Sequence, residues 1–327
     1  MNDTDNGTGS LAGADLDSDI RGFIQEVGAG FARHPDFSTL TPAQMREVAE
    51  MVRAPWAAGG PAMTHTDEFG IPSAAGNVRV RVHNPSSRPR KPVLIYLHGG
   101  GWTIFSIDTH DRLMREYAAR ADVVVIGVDY ALSPEARFPT ALNQVASVVR
   151  WVRENGGTVG IDPGRIALGG DSAGANLTMA TCLKLRDEGE PDAVQAMVLN
   201  YGAFDNECSE QSHRRYGGAG YMLASEEMTV FWRNYAGAGA DGNDPLICPI
   251  RAQLDALPPA FLAIAECDIL AQQNVAMADK LRAAGVSVRA VVYEGASHSF
   301  LEAVSIAAIS DRALAETSHW LRTILEK

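Results

Sequence analysis

The sequence predicts an α/β protein: a mostly parallel sheet of about eight strands, flanked by helices, with a helical cap. Three observations predict it. Short continuous apolar runs recur: "VLIYL" (93–97), "VVVIGV" (123–128), "IALGG" (166–170), "AMVLNY" (196–201), "FLAIAE" (261–266) and "VRAVVY" (288–293). Strands covered on both faces need such runs. Helix-length stretches separate them, the alternation of a doubly wound sheet. One separation, Tyr201 to Phe261, spans about sixty residues where a single crossover helix would suffice, and marks an insertion.

Taken in order, residues 1–18 are rich in Asp, Gly and Ser/Thr and read as a disordered acidic tail. From Asp19 to Val52 apolar residues recur at helical spacing: Ile20, Phe23, Ile24 and Val27, then Met45, Val48 and Met51. Thr41-Pro42 has the form of an N-cap followed by Pro at the first helical position. Residues 19–60 are therefore expected to be helices contributing to the cap. "MTHTDEF" (63–69) and the strictly alternating "NVRVRVHNP" (77–85) add two strands. The main domain is expected over 61–327, with a cap insertion at about 205–240. There "MLASEEMTVFWRNYAG" (222–237) reads as an amphipathic helix.

Composition narrows the function. The net charge is -12, and the one basic stretch, "SSRPRK" (86–91), reads as a hairpin loop, so no phosphate-neutralising stripe points to nucleic acid. No apolar run approaches the ~20 residues that span a bilayer, so no stable membrane insertion is expected. The four cysteines show no metal-ligand spacing, and the polar first residues carry no signal-peptide pattern. The expectation is a cytoplasmic protein with reduced thiols and neither metal nor cofactor.

The chemistry centres on Gly170-Asp171-Ser172-Ala173-Gly174. This G-x-S-x-G follows a strand and opens a helix, where a sharp turn exposes a serine and crowds the positions two residues either side. A plain glycine-rich turn is the structural alternative. "HGGGW" (98–102) directly follows another strand, and its Gly100 and Gly101 N–H groups, with that of Ala173, could hold an oxyanion. A flexible loop is the alternative there, and no G-x-x-x-x-G-K-[ST] pattern supports a phosphate cradle. A nucleophilic serine needs a base, and the base an orienting acid. Of the downstream histidines His213, His298 and His319, His298 follows a strand by a short loop, at the edge where α/β sites form. Among the acids Asp205, Asp244, Asp255, Asp279 and Asp268, only Asp268 closes an apolar strand, with Glu266 as a rival two residues earlier.

These residues resemble the hormone-sensitive lipase family of α/β hydrolases, in its bacterial carboxylesterase branch. "HGGGW", "DYALSPEARFPTAL" (129–142), "GDSAGANL" (170–177), "AECDIL" (265–270) and "GASHSF" (295–300) match its pattern in order, over roughly residue 63 to the end. The resemblance implies a Ser172–His298–Asp268 triad and an oxyanion hole from Gly100, Gly101 and Ala173. It also implies an acyl-enzyme and a small acyl ester of short chain as substrate. Trp102, Tyr130 and Phe231 are candidate pocket residues. The sequence departs from the family at Ala131, where Arg is usual, at "ILAQQN" (269–274), and at Ser299, where Gly is usual. The same triad would serve an amide or carbamate hydrolase or an acyltransferase. A non-catalytic ligand-binding protein, like the plant gibberellin receptor that shares the fold, is the reading from another class. The last strand, 286–293, is expected at a sheet edge through which two chains could pair as a homodimer.

Overall fold

The computed structural model describes residues 15–218, 220–237 and 241–326. Residues 1–14 of the expected tail and residues 219 and 238–240 of the expected insertion lie outside them. Helix formation begins earlier than the composition suggests. Leu16 is buried, and the Asp17 carboxylate accepts hydrogen bonds from the Asp19 and Ile20 N–H groups, capping α1 (Ser18–Phe31). The disordered tail expected through residue 18 is thereby corrected at residues 15–18: besides this anchor and cap, Asp15 accepts from the Tyr221 hydroxyl and pairs with Arg215, and the Asp17 N–H donates to the Gly295 carbonyl. In α2 (Pro42–Ala57), Thr41 and Gln44 form a reciprocal capping box, with Pro42 at the first position.

The sheet holds eight strands: β1 (His65–Ser73), β2 (Gly76–Asn84), β3 (Lys91–Leu97), β4 (Val124–Asp129), β5 (Ile161–Asp171), β6 (Ala196–Asn200), β7 (Ala260–Cys267) and β8 (Val288–Ser297). Their spatial order is β1-β2-β4-β3-β5-β6-β7-β8. β1, β2 and β4 pair antiparallel, and the pairs from β4 through β3 to β8 are parallel. Strands β3 and β6 are buried along their whole length, which takes a helical layer on each face. In one layer α3 (Asp111–Ala121) packs on α9 (Ala308–Leu325); in the other α4 (Thr140–Asn155) packs on α5 (Ala173–Asp187). α8 (Ala271–Ala283) links β7 to β8.

Parallel pairing puts the carboxyl ends of β3, β5, β6, β7 and β8 on one edge. Leu97 lies opposite Gly170, Asp171 opposite Asn200, and Cys267 opposite Ser297. The loops that carry Gly100, Ser172, Asp268 and His298 therefore leave from one rim. Two separate stretches of chain cover that rim. α1 and α2 pack together and on the turn Phe300–Ser305 after β8. The segment between β6 and β7 supplies α6 (Glu210–Tyr216) and α7 (Ser225–Ala236). α7 starts later than its apolar pattern suggests, because Glu227 accepts from the Ala224 N–H and fixes the first turn there.

Candidate active site

Ser172 stands between β5 and α5 with φ 53° and ψ −116°, outside the ordinary region for a side chain. The flanking glycines explain how the turn is tolerated. A Cβ at Gly170 would lie 2.7 Å from the carbonyl carbon of Gly174, and one at Gly174 would lie 2.6 Å from that of Leu97. The chain can cross the end of β3 only without side chains at these two positions. Ser172 Oγ lies 2.9 Å from His298 Nε2, and His298 Nδ1 lies 2.7 Å from Asp268 Oδ2. The Asp268 carboxylate can only accept, so Nδ1 carries the proton and Nε2 is left to accept from the serine hydroxyl. The other oxygen of Asp268 accepts from the Leu270 N–H at 2.9 Å, which fixes the carboxylate. All three residues are buried to 6% exposure or less.

The rival residues lie elsewhere. Glu266 accepts from the Gly295 N–H at 3.0 Å and so braces the loop before His298. His213 and His319 are exposed. Asp205 pairs with Arg251, and Asp279 with Arg282. Ser299 has φ 60°, the conformation for which glycine is the usual choice, and here a serine bears it.

Gly100 and Gly101, both at positive φ, line the same cavity as Ser172 and His298. Their N–H groups have no acceptor among the described residues. Ala173 is the first residue of α5, where a helix leaves its N–H groups unpaired. The loop is held from behind. His98 Nδ1 donates to the Gly99 carbonyl at 2.8 Å, its ring stacks on Tyr130 at 4.3 Å, and the Tyr130 hydroxyl donates to the His98 carbonyl at 2.7 Å. Burial, reinforced by nearby His110, pushes the His98 pKa down to about 4. Asp171, beside the serine, is buried and accepts from Tyr96 at 2.8 Å, with His110 Nε2 at 3.4 Å. Burial alone would raise its pKa, but the His110 charge, the hydrogen bonds from His110 and Tyr96 and the His98 charge together outweigh that and hold it below the usual range.

Of the three candidate pocket residues, Phe231 lines the cavity; Trp102 and Tyr130 do not. Trp102 follows Gly101 at φ 56°, and these consecutive left-handed residues turn the indole toward α7. There it stacks on Tyr235 at 4.3 Å and packs on Trp232 at 4.6 Å. Tyr130 is spent on His98.

A family model described as alpha/beta hydrolase fold matches residues 94–302. The ethyl acetate hydrolase of Pseudomonas putida is 39% identical over 222 residues, 68% of this chain and 70% of that protein. The carboxylic ester hydrolase LipN of Mycobacterium tuberculosis is 34% identical over 268 residues, 79% of this chain and 69% of that one. The chain belongs to the hormone-sensitive lipase-like esterases of the α/β hydrolase fold. Among solved structures, the hyperthermophilic esterase of the archaeon Pyrobaculum calidifontis superposes with a TM-score of 0.87 at 32% identity, covering 94% of this chain and 98% of that one.

The esterase cavity holds about 610 Å³. Beyond the glycine loop, Ser172 and His298, its walls come from α1 (Ile24, Val27, Phe31), α2 (Arg53) and the α7 region (Met222, Leu223, Glu227, Met228, Phe231). Arg53 and Glu227 are the residues that the sequence reading missed. Arg53 left one signal: a charged residue on the face of α2 that buries Val48, Ala49 and Val52. Tyr201, at φ 37°, presents its ring edge-on to His298 at 5.1 Å. No helix of the described residues is long and apolar enough to cross a membrane.

Proposed function

We propose that this esterase hydrolyses short-chain carboxylic esters through an acyl-enzyme on Ser172. The observation that carries the reading is the unbroken hydrogen-bonded line Asp268–His298–Ser172, opening on a cavity edged by glycine amides. His298 Nε2 takes the hydroxyl proton as Oγ bonds to the ester carbonyl carbon, and Asp268 offsets the imidazolium charge. The oxyanion is held by the N–H groups of Gly100, Gly101 and Ala173; losing one such donor costs about 3 kcal/mol of barrier. Collapse expels the alcohol, protonated by His298. Water, deprotonated by the same imidazole, then releases the acid and restores Ser172. Helices α1 and α2, with the segment around α7, act as the cap that keeps this cavity apolar. The four unpaired cysteines suit a reducing compartment, here the cytoplasm. A second copy, paired along β8, is the proposed partner.

Ser172→Ala and His298→Ala are expected to fold and to lose p-nitrophenyl butyrate hydrolysis by at least about 10³-fold, leaving only what binding and the oxyanion donors supply. A serine-reactive phosphonate should label the native chain, and not Ser172→Ala, by mass spectrometry. Unchanged turnover in either variant would end the assignment. Asp268→Asn should approach the same loss, while Glu266→Gln, which keeps an acceptor for Gly295, should retain most activity; the reverse order would mean that the acid is Glu266.

A further inference from the structure

The reaction uses Ser172, His298 and the glycine amides, and leaves the Glu227 carboxylate of the cavity unexplained. Glu227, in the first turn of α7, lines the cavity. Its side chain is exposed, yet crowding by surrounding protein raises its pKa, outweighing the Ala224 N–H bond and the charges of His298 and Arg53. These facts agree if the surface it keeps faces the cavity rather than open solvent. One of its oxygens accepts from Ala224, which leaves the other for a ligand.

The charge around it is one-sided. Arg53 is the only Lys or Arg lining the cavity among the described residues, and Glu302 neutralises it at 3.0 Å, both side chains being buried. Arg53 is turned further aside by lying over the Phe105 ring at 5.0 Å. His34 and Asp36 also line the wall. The remaining surface is largely apolar, with Phe31, Phe37, Phe105 and Phe231 set among aliphatic side chains. A carboxylate in a largely apolar cavity that also holds phenylalanine rings, with its one arginine already paired, is the chemistry that receives an ammonium group. The net charge of -12 draws such ligands toward the protein.

We propose that Glu227 determines specificity: the cavity takes esters whose part remote from the scissile carbonyl carries a cationic ammonium group, with Glu227 as its counter-ion. This rests on the esterase reading above. The test compares two isosteric esters on one enzyme sample, acetylcholine and its uncharged analogue 3,3-dimethylbutyl acetate. Their ratio of kcat/KM cancels any loss of folded protein.

In the native enzyme the ratio should favour acetylcholine, and Glu227→Gln, which keeps an acceptor for the Ala224 cap, should lower it about tenfold. Glu226→Gln, at the exposed neighbour outside the cavity, should leave the ratio within twofold. The proposal is overturned if Glu227→Gln leaves the ratio within twofold, if Glu226→Gln lowers it as much, or if the native enzyme favours the uncharged ester. Hydrolysis of p-nitrophenyl butyrate with neither acetate ester turned over would sink the specificity alone. No turnover of any of the three esters would sink the esterase reading first.

Discussion

A Cβ at Gly174 would stand 2.6 Å from the Leu97 carbonyl carbon and 2.8 Å from the His98 carbonyl oxygen, both backbone atoms that cannot swing away. Gly174→Ala must therefore push α5 off the end of β3, and Ser172, two residues earlier, moves with it. Overpacking of this kind costs about 1–3 kcal/mol. The expected outcome is a lower melting temperature together with a loss of kcat of at least about 10²-fold, since displacements near 1 Å carry that penalty. Gly22 in the interior of α1 has nothing within 4 Å of an added Cβ, so Gly22→Ala should instead stabilise by about 0.5–1 kcal/mol. Calorimetry and ester turnover on both variants check the pair; full activity in Gly174→Ala would show that the turn is not sterically locked. Strain gathers at this site. Among the described non-glycine residues with positive φ are Trp102, Phe105, Ser172, Tyr201 and Ser299, all on loops at the rim that carries the serine.

Elements meet at the rim through one buried ion pair. Arg53 from α2 and Glu302 from the turn after β8 lie 3.0 Å apart, with side-chain exposures of 4% and 3%. The pair ties an element that covers the cavity to a residue four positions beyond His298. Removing one partner leaves the other charge buried alone, at a cost of about 3–5 kcal/mol, whereas replacing both with apolar groups is often neutral. Arg53→Met should therefore lower stability to urea by that amount, and Arg53→Met with Glu302→Met should recover most of it. A double variant no better than the single one would show that Arg53 acts through its packing on Phe23 and Phe105 instead. The elements differ in how plainly the sequence announced them. Strands β3 to β7 write themselves as apolar runs because both faces are covered. α6, "EQSHRRY", shows no apolar period because its order comes from tertiary contacts: Tyr216 and Ser212 are its buried residues. Ser172, Asp268 and His298 were legible because each follows a strand end in the chain. Trp102 was misread because two left-handed residues decide which way its ring turns. Glu227 could not be found, since only the fold shows that it faces the cavity.

At the scale of the whole molecule the sheet ends asymmetrically. β1 closes one side as the outer strand of a hairpin tied down by ion pairs from Glu68 to Arg79 and Arg81. β8 closes the other with its outer edge unpaired among the described residues, half-buried Val288, Ala290 and Val291 along it, and Val292 at 47% exposure. An apolar edge of this length invites another strand. A second copy paired antiparallel about a two-fold axis at residue 292 would set the exposed Val292 of one chain directly opposite Val292 of the other, on the same face of the sheet. Sedimentation equilibrium should then give twice the 35.0 kDa chain mass. Val292→Lys, which places like charges opposite each other at the axis, should weaken the dimer, whereas Val292→Ile should keep it. Val292 does not border the cavity, so kcat should follow the native enzyme throughout. A native chain that sediments as a monomer, or a Val292→Lys variant as dimeric as the native chain, would remove the second copy from this edge.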